Sequence, residues 1–144
     1  MLRKMLLFAL TLAVCAVYGG CSEEENNPVA PAPTMAGIWD VVLDFPGAAD
    51  GIRFNLTEVN GVLGGTITTL EGDLSLNGTC SSSGQVTLSY DVPQENPQIT
   101  ARGVFDGSVN TERTALNGTF KAMLLPSGIQ VFSAPFTAAK RGTP

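Results

Sequence analysis

The chain contains no histidine. That absence removes the usual base of serine and cysteine triads and the commonest zinc ligand, which excludes those nucleophilic mechanisms and most zinc sites. Basic residues are also scarce, with 8 Lys+Arg against 13 Asp+Glu and a net charge of −5. A chain of this sign lacks the positive patch that neutralises nucleic-acid phosphates or adheres to anionic lipid. No apolar run is long enough to cross a bilayer as a helix. The longest, Met5 to Tyr18, has about 14 residues where roughly 20 are needed. No segment after it keeps a helical period for more than a turn or two, so no glycine loop leads into a helix that could cradle a phosphate.

What is present begins with an export signal. Arg3 and Lys4 precede the apolar run, and Gly19-Gly20-Cys21 closes it with small residues before a thiol. This arrangement resembles the lipobox of bacterial lipoproteins, with Tyr18 standing where leucine is usual. The resemblance implies removal of residues 1–20 and a diacylglycerol thioether on Cys21, usually with a third, amide-linked chain. Two or more acyl chains anchor a protein stably, each buried methylene contributing about 0.8 kcal/mol. Ordinary signal cleavage and a retained anchor are the alternatives. Ser22 after the cysteine is compatible with sorting to the outer membrane, so the expected address is the bacterial envelope, with the membrane as the first partner.

Residues 21–34 then read as a tether, with Glu23-Glu24-Glu25 followed by alternating proline and alanine. Its proline half favours an extended form, reaching roughly 40 Å at about 3.1 Å per residue. Without residues 1–20, which hold Arg3 and Lys4 and no acid, Lys+Arg falls from 8 to 6 against 13 acids, a balance of −7. Of the 3 cysteines, Cys15 is lost and Cys21 acylated. Cys80 is then alone, and burial is the expected fate of its thiol.

Residues 35–144 suffice for one domain, and their pattern has a period of two. Trp39, Val41, Leu43 and Phe45 alternate with Asp40 and Asp44; Ile52, Phe54 and Leu56 with Arg53, Asn55 and Thr57; Val86, Leu88 and Tyr90 with Thr87, Ser89 and Asp91. One face of each strand is therefore buried and the other wet. Turn chemistry divides the runs at Pro46-Gly47 to Gly51, Asn60-Gly61, Glu71-Gly72, Ser81 to Gly84, Pro93 to Pro97, Asp106-Gly107 to Thr111 and Pro126 to Gly128. Seven short connections predict eight antiparallel strands in an all-β, up-and-down meander. Pro135 in the last run predicts an edge, bulge or break. An immunoglobulin-like sandwich would need longer crossovers than these turns allow.

Leu63-Gly64-Gly65-Thr66, Leu76-Asn77-Gly78-Thr79 and Leu116-Asn117-Gly118-Thr119 share a leucine–glycine–threonine frame. Alternation puts Gly78 and Gly118 on the inner face, where small residues let a sheet coil tightly enough to close. Gly37-Ile38-Trp39 at the start of the first strand resembles the Gly-x-Trp opening of lipocalins and their calycin relatives. Phe136-Thr137-Ala138-Ala139-Lys140-Arg141 resembles their last strand. The resemblance implies a small lipocalin-like barrel in which a late basic side chain, Lys140 or Arg141, covers Trp39.

Chemistry is sparse. Asp40 and Asp44 lie on one outer face about 13 Å apart at 3.3 Å per residue, too far for a carboxylate pair. Asp106 to Glu112 alternates oxygens as calcium loops do but lacks their glycine and closing glutamate, and reads as a hairpin loop. Neither enzyme, metal nor cofactor is expected. The inner set is expected to comprise Trp39, Val41, Leu43, Phe45, Ile52, Phe54, Leu56, Leu74, Leu76, Val86, Leu88, Tyr90, Ile99, Phe105, Leu116 and Phe120. Within it, Trp39, Phe45, Phe54, Tyr90, Phe105 and Phe120 are the candidate lining for a small apolar ligand. The competing expectation is that these aromatics fill the barrel, leaving protein contacts through loops and outer strands as the function. With an even strand count both termini share one end. Loops at Asp50, Glu71 to Asp73, Gln94-Glu95 and Ser127 would then form an acidic rim at the other.

Overall fold

The computed structural model describes residues 30–142; the leader, Cys21 and most of the tether lie outside them. Eight strands follow in order: β1 Gly37–Leu43, β2 Arg53–Val59, β3 Val62–Thr69, β4 Gly72–Cys80, β5 Gln85–Pro93, β6 Thr100–Val109, β7 Ala115–Leu125 and β8 Ile129–Lys140. Each pairs antiparallel with the next, and β8 returns to β1 to close a barrel. No helix is present among the described residues.

The turns supply the register. Asn60 and Gly61 take φ of 52° and 77°, the left-handed pair that a two-residue hairpin needs, and lock Val59 opposite Val62. The β6–β7 connection is shorter than its sequence suggests. Asp106-Gly107, read as the start of a turn, lies inside β6, with Gly107 opposite Gly118 of β7. A Cβ on Gly118 would meet the carbonyl oxygen of Asp106 and the Cα of Gly107, so the pair lets the two backbones approach closely. Asp106 is held in the ladder by bonds from Thr87 Oγ1 (2.9 Å) and Lys121 Nζ (3.1 Å).

Pro135 sits in register opposite Thr119, and the irregularity of β8 falls earlier, around Val131, opposite Ala122 and Met123. The proline is tolerated because its carbonyl accepts from Asp44 N on the β1 side, and its missing N–H faces that same side just where β1 ends at Leu43.

Inside the barrel, Trp39, Val41, Phe54, Leu56, Leu76, Val86, Leu88, Phe105, Leu116 and Phe120 are buried, as alternation requires. Leu43, Ile52, Leu74 and Tyr90 pack against them only half-buried. Ile99 is 38% exposed, outside the core it was expected to join, because the β5–β6 connection runs on to it and Ile99 N bonds Asn96 O in a turn. Met35, Leu63, Ile67, Cys80, Ala134, Phe136 and Ala138 complete the core.

Candidate functional site

The barrel has two unlike ends. Near the termini, Met35 is fully buried and its carbonyl accepts from Trp39 Nε1 at 2.9 Å. The segment that carries it is held by Glu58 of β2. Oε2 of this carboxylate accepts from Met35 N and Thr34 Oγ1, both at 2.7 Å, and Oε1 accepts from Arg113 Nη1 at 2.6 Å. Burial works to raise the pKa of Glu58, but those donors together hold it below its ordinary value. Lys140 Nζ bonds Thr34 O at 2.7 Å and stands 6.0 Å from the centre of the Trp39 ring. Lys140 is thus the basic cover of the tryptophan, while Arg141 bonds Asp40 at 2.7 Å. Cys80 lies buried at this end, and burial pushes its thiol above its ordinary value.

The middle is occupied by rings. Phe105 lies 4.9 Å from Phe54, 4.7 Å from Phe120 and 5.0 Å from Phe136, centre to centre, with Tyr90 at 6.2 Å. Three of the candidate lining residues, Phe54, Phe105 and Phe120, are therefore brought together as one packed cluster. The others are dispersed: Trp39 lies at the terminal end, Phe45 packs on Phe132 at the far end (4.8 Å), and Tyr90 stands at the side wall.

The far end is open. Pairing between β4 and β5 runs only from Asn77–Ser89 to Cys80–Val86, so Gly72–Leu76 and Tyr90–Pro93 lack each other as partners. Leu74 and Tyr90 border two hollows on the two faces of this slit. The inner one, about 250 Å³, is lined by Ala49, Ile52, Thr69, Leu70, Glu71, Leu74, Tyr90 and Val92. The outer, about 440 Å³, is lined by polar side chains including Asp73, Ser75, Asn77, Ser89, Asp91 and Arg102. The inner lining is apolar because Leu74, Tyr90 and Val92 fall on the inward parity of their strands. Burial raises the pKa of Tyr90. Asp91 is held below its ordinary value by a two-pronged hydrogen bond from Arg102, at 2.7 and 2.9 Å.

Among the described residues, Arg53, Arg102, Arg113, Lys121 and Arg141 each bind a carboxylate, and Lys140 serves Thr34 and Trp39. None of the ion pairs reaches Glu112 in the β6–β7 connection of the terminal end, nor Asp44, Asp50, Glu71, Asp73 or Glu95 in the connections and strand ends of the far side. The slit itself was not read from sequence, although Pro93 at the end of β5 was a signal. A proline there removes the donor that would pair with Asp73. No family model, no curated protein and no solved structure matches this chain.

Proposed function

We propose that this chain is a lipid-anchored protein of a bacterial envelope, held in the outer membrane through Cys21, that catalyses no reaction and acts as a protein-interaction module. One observation carries the choice of module over carrier. The rings of Phe54, Phe120 and Phe136 packed around Phe105 occupy the space that an enclosed ligand would need. The terminal end is tied down at Glu58, so the working surface is the far end. A second reading, a small apolar ligand lodged in the mouth, is favoured by the hollow beneath Leu70, Leu74 and Tyr90. Its 250 Å³ falls below the roughly 300–1,000 Å³ of drug-sized sites.

Two measurements test this. Replacing Cys21→Ser is expected to move the protein from the membrane to the soluble fraction; continued membrane association refutes the acyl anchor. Titration with Nile red, a neutral apolar dye, is expected to show no stoichiometric uptake, whereas one tightly bound equivalent establishes the carrier.

A further inference from the structure

We infer that the slit between β4 and β5 is a strand-insertion site for an extended segment of a partner protein, one that alternates apolar and basic side chains. This deepens the interaction-module reading and rests on it. Cys80 N donates to Gly61 O on the β3 side and Ser81 N to Gln85 O on the β5 side, at 2.7 and 2.8 Å. Because neighbouring residues of a strand direct their amides to opposite flanks, the odd-numbered residues of β4 face β5 and those of β5 face β4. Above Asn77–Ser89 the backbone groups of Asp73 and Ser75 on one side, and of Asp91 with the carbonyl of Pro93 on the other, therefore have no strand partner.

Continuing the register would pair Ser75 with Asp91 and Asp73 with Pro93. Pro93 has no N–H to give, and Tyr90 and Asp91 are drawn toward β6, Tyr90 by laying its ring over Gly103 and Asp91 by the bond to Arg102. The two free edges thus offer donors and acceptors to a third strand of four or five residues, about 13–17 Å at about 3.3 Å each. Its inward side chains would meet Ile52, Leu74 and Val92, which requires apolar groups. Its outward ones would pass Asp73, which no cation of the described residues neutralises, beside the Asp91–Arg102 pair. A second copy of this acidic chain is the poorer occupant on charge.

The test uses the full chain in detergent micelles with the peptide acetyl-Lys-Val-Lys-Val-Lys-amide, and the same peptide N-methylated at its internal amides as control. Amide exchange at Asp73, Ser75 and Asp91 is expected to slow about tenfold or more with the first peptide and to stay unchanged with the second. Equal effects of the two peptides, protection confined to Ile129–Ala134 of β8, which extend past the last pairing with β1 at Leu43–Phe136, or no protection at all would each overturn the inference. The interaction-module reading itself fails separately, by stoichiometric Nile red uptake.

Discussion

The terminal and far ends of this barrel are made from the same strands by the same alternation, yet one is sealed and the other split. At the terminal end β4 and β5 stay paired as far as Cys80–Val86, Met35 plugs the interior, and one carboxylate gathers three donors. At the far end β4 and β5 part, Leu74 and Tyr90 are only half-buried, and carboxylates stand without cations. The difference shows that closure of a sheet does not brace its two ends equally. Stability concentrates where ladders and core coincide, and binding surfaces are drawn from where they do not.

The comparison can be broken, starting with the largest effect. Phe105→Ala removes the ring that touches Phe54, Phe120 and Phe136 and is expected to cost about 3–5 kcal/mol in urea unfolding. A loss below about 1 kcal/mol would mean that the middle is loosely filled, and would revive the carrier. Glu58→Gln leaves Arg113 without its charge partner and weakens the bonds to Thr34 and Met35, for an expected loss of about 2 kcal/mol.

The same group gives a pH dependence of definite sign. The folded pKa of Glu58 lies below its ordinary value of 4.5, so its contribution is complete above that value and is lost as pH falls through the folded pKa. The wild-type chain should therefore lose stability in that acid window more steeply than Glu58→Gln, and parallel curves would show that the carboxylate does not hold the plug.

The smallest effect belongs to the slit. Pro93→Thr returns a donor opposite Asp73, and is expected to change stability by no more than about 0.5 kcal/mol while slowing amide exchange across Asp73 and Asp91. A gain of several kcal/mol would show that the slit is a strained defect, and not an edge shaped by its own residues.

Most of the barrel was legible as sequence because inward and outward residues alternate strictly. Seven turns and eight strands follow from that alternation and from dipeptides such as Asn60-Gly61, and Gly118 could be placed inside from its leucine neighbours. Misreadings arose where local chemistry permits two outcomes. Asp106-Gly107 is a fair turn pair, but in β6 the glycine serves a close approach to Gly118. Ile99 continues an apolar spacing, but the chain is still turning there. The aromatic set was identified as inward-facing, but which rings touch depends on how strands stagger around a closed sheet, which no single strand encodes.

The amino-acid order alone determined the all-β class, the strand count, the parity of each side chain and the acidic character of the far-end loops, because each depends on neighbours one to four residues apart. Tertiary structure alone decided that Phe105 collects three other phenylalanines, that Lys140 and not Arg141 covers Trp39, that Glu58 ties residues 34 and 35 to Arg113, and that β4 and β5 separate beyond Asn77. Those outcomes join positions tens of residues apart, and their energies exist only once the sheet has closed.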